Sequence, residues 1–326
     1  MTWYRYRSKR NGPQVQRRIW QVIQVLVGVV VVGLAVRSVV LNWQSLQTQR
    51  VEWRFAPTWI AASVVVVFST YAVLIEAWRR VVVSMGERLP FPAAARIWFL
   101  ASFGKYIPGK VWALAGAAVL AQRAGVDPSA AVAGALVLQV LSLASGAAVV
   151  AMTAPEVFQS AGQGSQPILA LIILLSVLGV FALTWQPVLD RINSLLPRSW
   201  PRLRAISPVV TGAAFIANVV AWCAYGVALL LLARGLLPGV YLSLPQAIGV
   251  FTCSYIVGFL ALFAPGGLGP RESVFLLMLS GQVGLKAAAA LAIASRLLLT
   301  ATELIPAVSL LLLSRRTAAP ASVRGT

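Results

Sequence analysis

Long apolar runs constrain this chain more than any other feature of its sequence. Several runs reach the roughly 20 residues that a helix needs to cross the hydrocarbon core of a bilayer. Inside lipid, a segment must satisfy its own backbone hydrogen bonds, and an α-helix does so. Because 59% of the 326 residues are hydrophobic and only 11% are charged, the sequence predicts an all-α polytopic membrane protein.

We predict six full spans, together with two apolar segments that glycine and proline interrupt. The spans cover approximately residues 20–41, 59–78, 129–151, 167–185, 208–232 and 287–313, and the interrupted segments are 97–124 and 246–281. Both halves of the first interrupted segment are too short to cross a bilayer. We expect each interrupted segment to form a re-entrant helical hairpin. A single kinked span is the alternative for the first segment, and a surface loop is the alternative for the second.

The distribution of basic residues predicts the orientation. Lys and Arg concentrate in residues 1–19, in the loops at 79–96 and 186–206, and after the last span, whereas the loop at 155–166 has neither. The positive-inside rule places the basic loops and both termini in the cytoplasm. This assignment requires both interrupted segments to be hairpins. The net charge of +19 therefore reflects topology and contact with anionic lipid, and we expect no nucleic-acid partner.

The order of elements repeats along the chain. Residues 20–153 and 154–314 each contain two spans, a hairpin and a third span, between a basic tail at 1–19 and a short tail at 315–326. Each half crosses the membrane three times, so the two halves are expected to be inverted repeats. Many secondary transporters combine inverted repeats with broken helices. We expect a transporter of the bacterial cytoplasmic membrane.

The second interruption is the stronger candidate for a binding site. It predicts a helix with Gly269 as its cap and Pro270 at its first position, followed by Arg271 and Glu272. Such a helix directs its positive N-terminal end and free amides toward an anion. Arg271 can contact a phosphate in a bidentate manner. Glu272 either holds Arg271 in place or rejects competing anions, and the sequence leaves that choice open.

Three polar residues of the last span are expected to share one helical face. Arg296, Thr300 and Glu303 follow the spacing i, i+4 and i+7. Arg296 is well inside the span, where an unpaired cation is costly. The sequence is equally consistent with an ion pair between Arg296 and either Glu272 or Glu303 and with direct contact of Arg296 with a substrate. These two roles are compatible.

The first interruption adds cations to the candidate site. Lys105 and Lys110 flank its turn, where they either attract an anion or extend toward lipid phosphates. The complete candidate substrate-binding set is Lys105, Tyr106, Pro108, Gly109, Lys110, Pro265, Gly266, Gly267, Gly269, Arg271, Glu272, Arg296 and Glu303. The sequence has no His, and its two Cys are in different apolar segments. We therefore expect no metal site, no cofactor and no disulfide framework. Most Trp residues are expected at the membrane interface.

Two motifs resemble those of a known family. They are Phe103-Gly104-Lys105-Tyr106-Ile107-Pro108-Gly109-Lys110 and Ala264-Pro265-Gly266-Gly267-Leu268-Gly269-Pro270-Arg271-Glu272. The chain resembles flippase-like membrane proteins related to the transmembrane region of lysylphosphatidylglycerol synthases, nearly from its first span to its last. The resemblance implies a lipid-flipping domain in which Lys105, Lys110, Arg271 and Glu272 are motif positions. In the synthases a soluble aminoacyl-transferase domain follows. The present sequence ends at Thr326, and we do not expect lysyl transfer by this chain.

These observations predict a flippase-like transporter that moves an anionic phospholipid or a lipid-linked polyprenyl phosphate saccharide between leaflets. One alternative is a non-transporting subunit that docks a glycosyltransferase or a lipid-modifying enzyme. Another is a membrane enzyme that uses Glu272 or Glu303 as a base on a lipid phosphate. The sequence has no recognisable metal cluster or activated nucleophile, so we expect the protein not to be an enzyme.

Overall fold

The computed structural model describes residues 53–106, 111–157, 174, 176, 178–195, 205–261 and 264–317, and the regular structure in these ranges is helical. The α-helices are α1 (Pro57–Ser84), α2 (Phe91–Ala101), α3 (Val111–Arg123), α4 (Pro128–Val157), α5 (Gln186–Leu195), α6 (Pro208–Leu236), α7 (Leu244–Leu260), α8 (Pro270–Val283) and α9 (Leu285–Thr317). Two short 3-10 turns, Ser102–Tyr106 and Pro265–Gly267, lie between α2 and α3 and between α7 and α8. The all-α prediction is confirmed for these residues.

Within the described ranges, four helices are long and apolar enough to cross a membrane. They are α1, α6 and the apolar parts of α4 and α9, Pro128–Thr153 and Leu285–Leu312. At 1.5 Å per residue, each exceeds the hydrocarbon thickness of about 30 Å. These helices coincide with the spans predicted at 59–78, 129–151, 208–232 and 287–313, and their length and composition are those of an integral membrane protein. The span predicted at 20–41 lies outside the described residues, as do nine of the 19 residues of the span at 167–185.

Local sequence explains where several of these helices begin. Proline occupies the first turn of both α1 and α6, where its missing N–H is not needed and its fixed φ suits a helix. Helix α7 begins with a capping box. The Ser243 hydroxyl accepts a hydrogen bond from the Gln246 backbone N–H at 3.3 Å, and the Gln246 side chain accepts one from the Ser243 N–H at 3.1 Å. These starts satisfy backbone donors that lipid could not satisfy.

The centre of the fold is the packing of α6 against α1, α4 and α7. Gly235 of α6 allows close approach to α1, because a Cβ there would lie 2.9 Å from the Ile60 Cγ1 atom. The Ser63 hydroxyl of α1 donates a hydrogen bond to the Ala228 carbonyl of α6 at 2.7 Å. Small residues and interhelical hydrogen bonds of this kind replace the hydrophobic effect as the source of helix association in lipid.

Two Trp residues are buried inside the helix bundle. Trp78 and Trp222 are 3% and 4% exposed. Their indole N–H groups find acceptors inside the bundle, at the Ala131 carbonyl (3.4 Å) and the Ser142 carbonyl (3.1 Å) respectively. A Trp with its N–H satisfied can be buried without penalty, and composition alone does not reveal such partners.

Both predicted interruptions are real breaks between short helices. Helices α2, α3 and α8 have 11, 13 and 14 residues, which is fewer than a span needs. Helix α2 begins at Phe91, whereas the sequence predicted a start at residue 97. The predicted start followed Arg96, which interrupts the apolar run. In the structure Arg96 lies on the exposed side of the helix and does not interrupt it. The two 3-10 turns contact each other, and α9 packs against both α8 and α2. The interruptions therefore meet in space beside the last helix.

Candidate functional site

The second break is built by glycines in left-handed conformations. Gly267 has φ of +73°, a conformation that residues with a Cβ seldom adopt. A Cβ at Gly267 would also lie only 2.9 Å from the Cα atom of Gly258 in α7. The backbone of the break therefore lies directly against α7, and both positions need the absence of a side chain.

The start of α8 confirms the predicted cap and assigns a partner to Glu272. Gly269 is the N-cap and Pro270 occupies the first turn. One oxygen of the Glu272 carboxylate accepts a hydrogen bond from the Gly269 N–H at 2.8 Å, and the other lies 2.5 Å from the Arg296 Nη1 atom. Arg296 Nη2 also donates to the Gly266 carbonyl at 3.2 Å. Glu272 thus pairs with Arg296, as one sequence alternative proposed.

Arg271 is a buried cation with unused donors. Arg271 is 7% exposed. Its guanidinium carbon lies 5.0 Å from the centre of the Phe251 ring and 5.6 Å from the centre of the Tyr255 ring. The Nε and Nη2 atoms are buried without a hydrogen-bond partner among the described residues. The ring faces stabilise the positive charge, but they leave the two N–H donors free to bind an anion.

The first break is tied to the last helix through Glu303. Lys105 forms an ion pair with one oxygen of the Glu303 carboxylate. The Tyr71 hydroxyl of α1 donates to the other oxygen at 3.2 Å and lies 3.3 Å from the Thr302 hydroxyl. Lys105 therefore points into the protein rather than extending toward lipid. Helix α9 therefore contacts both breaks. Its Glu303 pairs with Lys105 of the first break, and its Arg296 donates a hydrogen bond to the Gly266 carbonyl of the second.

A cavity of about 590 Å³ lies between the two breaks, a size typical of sites for small ligands. Of the predicted site residues, it is lined by Lys105, Gly266, Gly267, Arg271, Arg296 and Glu303. Gly269 and Glu272 lie behind this lining, where they shape the start of α8. Pro265 and Tyr106 belong to the two 3-10 turns, and Pro108, Gly109 and Lys110 lie outside the described residues.

The sequence analysis missed much of the cavity wall. The additional lining residues include Tyr71, Gln139, Asn218, Trp222, Tyr225 and Tyr255, which come from α1, α4, α6 and α7. Asn218 is 2% exposed and donates to the Ala214 carbonyl of its own helix at 2.8 Å. Polar residues in the middle of otherwise apolar spans, Gln139 and Asn218, were the signal that could have identified this wall.

Comparison of the sequence with known protein families gives a match that covers most of the chain. The chain matches the family model described as the lysylphosphatidylglycerol synthase TM region over residues 21–307. The match includes both breaks and every candidate residue named above. No curated protein matches the chain.

Proposed function

We propose a lipid-transport function for this chain, which belongs to the family of the lysylphosphatidylglycerol synthase TM region. It is a flippase-like transporter that moves an anionic phospholipid or a lipid-linked saccharide between leaflets. The observation that carries this proposal is the buried Arg271, which lines the cavity with two N–H groups that find no partner among the described residues. An unpaired cation at membrane depth is costly unless an anion binds to it.

The cavity chemistry suits a phosphate headgroup. The planar guanidinium of Arg271 can donate two parallel hydrogen bonds to phosphate oxygens, which a point charge such as Lys cannot do. The aromatic residues beside it, including Tyr225 and Tyr255, offer surfaces on which a glycerol or sugar can pack. The ion pairs of Arg296 with Glu272 and of Lys105 with Glu303 position the two breaks. Transport requires no covalent step, and we assign no catalytic residue.

The proposed transport cycle uses the finer architecture expected from the sequence. Two inverted repeats with re-entrant hairpins would expose the cavity alternately to each leaflet while the lipid tail stays in the bilayer. Both termini would be cytoplasmic in a bacterial cytoplasmic membrane, because the most basic loops would then also be cytoplasmic. Because the two 3-10 turns contact each other, a relative movement of the two breaks would change access to the cavity.

The test is leaflet exchange of labelled phosphatidylglycerol and of a labelled polyprenyl phosphate saccharide in proteoliposomes. Arg271→Gln should lower the exchange rate by about 10- to 100-fold, as expected for the loss of charge-assisted hydrogen bonds to a buried anion. Arg234→Gln is the matched control, because Arg234 also lies over an aromatic ring, 5.7 Å from the centre of Trp59, but it is exposed on α6.

Two results would contradict the transport proposal. Wild-type protein that exchanges no anionic lipid would argue against transport, and co-purification of a glycosyltransferase or lipid-modifying enzyme would then favour the docking alternative. Equal exchange by Arg271→Gln and Arg234→Gln would remove Arg271 from the pathway.

A further inference from the structure

The carboxylates of the chain are few, and two of them belong to the cavity region. The whole sequence has eight Asp and Glu residues. Glu303 lines the cavity, and Glu272 lies directly behind it. The other four carboxylates whose side chains are described are Glu76, Glu87, Asp127 and Asp190, and none of them lines the cavity. Glu76 pairs with Arg79 and Arg80. Glu87 accepts a hydrogen bond from the Asp127 N–H, and Asp190 accepts one from Gln186.

Each of these two carboxylates already faces a cation. Glu303 pairs with Lys105, and their side chains are 11% and 33% exposed. Glu272 pairs with Arg296 at 2.5 Å, and their side chains are 22% and 19% exposed. The second oxygen of Glu272 faces the positive N-terminal end of α8 through the Gly269 N–H. Of the three cations found among the described lining residues, two are therefore neutralised by the protein.

Arg271 is the third of these cations, and among the described lining residues it leaves a surplus of one positive charge. Its nearest stabilising groups are the neutral rings of Phe251 and Tyr255. Among the described residues, no acceptor reaches its Nε and Nη2 atoms. The site can therefore compensate one negative charge without breaking an existing ion pair.

We infer that the cavity binds a lipid headgroup with one negative charge, a phosphodiester, in preference to a dianionic phosphate monoester or a diphosphate. The inference rests on the proposed function and narrows its substrate class. Phosphatidylglycerol and a sugar linked to a polyprenyl chain through one phosphate belong to this class. A dianion would leave one buried charge uncompensated, or it would have to take Lys105 or Arg296 from its carboxylate, and both alternatives are costly in a medium of low polarity.

Competitive lipid binding to the purified full-length protein tests the inference. Native mass spectrometry at pH 8 would compare phosphatidylglycerol with phosphatidic acid of identical acyl chains. At that pH phosphatidic acid carries more negative charge than phosphatidylglycerol, because the second proton of a phosphate monoester dissociates with a pKa of about 6 in phosphorylated side chains. We expect phosphatidylglycerol to be retained at least about tenfold more than phosphatidic acid. Glycerophosphoglycerol, which is the same phosphodiester without acyl chains, should compete weakly.

Variants that change the charge count without removing the site make the test specific. Glu303→Gln removes the carboxylate that pairs with Lys105 and adds one positive charge to the cavity lining, so retention of phosphatidic acid relative to phosphatidylglycerol should rise about tenfold. The double variant Lys105→Gln with Glu303→Gln restores the surplus to one and should return the ratio to that of wild type. Glu272→Gln provides a second single variant with the same expected shift if Glu303→Gln fails to fold.

The outcomes separate this inference from the transport proposal. The inference would be overturned if the wild-type protein retained phosphatidic acid as strongly as phosphatidylglycerol or more strongly. It would also be overturned if neither single variant changed the retention of phosphatidic acid relative to phosphatidylglycerol. Tight binding of glycerophosphoglycerol would overturn its lipid part and indicate a soluble phosphodiester. Selective retention of phosphatidylglycerol by a protein that exchanges no lipid would contradict transport and support the inferred charge selectivity.

Discussion

Glu272→Ala should lower the free energy of unfolding by about 3–5 kcal/mol, the range for removing one partner of a buried ion pair. The substitution leaves the guanidinium of Arg296, whose side chain is 19% exposed, with the Gly266 carbonyl as its hydrogen-bond acceptor. It also removes the acceptor of the Gly269 N–H at the start of α8. Denaturant unfolding in mixed micelles, followed by Trp fluorescence, would measure the loss.

The double variant Glu272→Ala with Arg296→Ala separates the ion pair from the other effects. Because no unpaired cation remains in it, its loss of stability should be smaller than the sum of the two single losses, by about 0.5–3 kcal/mol. Asp190→Ala is the control for removal of a carboxylate, since Asp190 is exposed on α5, and it should change stability by less than about 0.5 kcal/mol. Strict additivity of the two single variants would show that the pair contributes no coupling.

Features set by local sequence could be predicted, and the structure agrees with them. The lengths of the apolar runs predicted α1, α4, α6 and α9 as long apolar helices, because the thickness of the hydrocarbon core sets the length that a membrane-crossing helix needs. The cap of α8 followed from Gly269 and Pro270 alone. The pair of Arg296 with Glu272 was one of two ion pairs considered, since a cation inside a span needs a partner and few carboxylates are available.

The environment of Arg271 could not be predicted from its sequence neighbours. Glu272 follows it directly, and the sequence left open whether Glu272 holds Arg271 in place or rejects competing anions. Consecutive residues of a helix point about 100° apart and do not face each other. Glu272 instead reaches Arg296 and the Gly269 N–H, while Arg271 turns toward Phe251 and Tyr255. The direction of each side chain therefore decides that Glu272 is paired, whereas Arg271 keeps N–H donors that can bind an anion.

The cluster around Glu303 depends on contacts between residues far apart in the sequence. Lys105 and Tyr71 are separated from Glu303 by 198 and 232 residues. Periodicity places Glu303 on a polar face of α9, but it does not indicate which helix lies opposite that face. The packing of α9 beside α1 and α2 brings these partners together. Such pairings require the tertiary arrangement, which a single sequence does not provide.

Gly267→Ala should lower the free energy of unfolding by about 2–6 kcal/mol and should impair lipid exchange as well. A left-handed conformation costs a residue with a Cβ about 1–3 kcal/mol, and Gly267 has φ of +73°. Overlap of the new methyl group with the Gly258 backbone, at 2.9 Å, adds about 1–3 kcal/mol. Because Arg271 lies in the first turn of α8, just after this break, any shift of the break also moves the guanidinium within the cavity.

Two control glycines separate backbone strain from steric overlap at Gly267. Gly86 has φ of +99°, and no atom lies within 4 Å of the position that a Cβ would take there, so Gly86→Ala should show the conformational cost alone. Gly281 is helical and equally open, so Gly281→Ala should leave stability unchanged or raise it by up to about 1 kcal/mol. If Gly267→Ala costs no more than Gly86→Ala, the break does not press against α7. A larger loss, together with slower exchange, would show that this backbone contact holds Arg271 in its binding position.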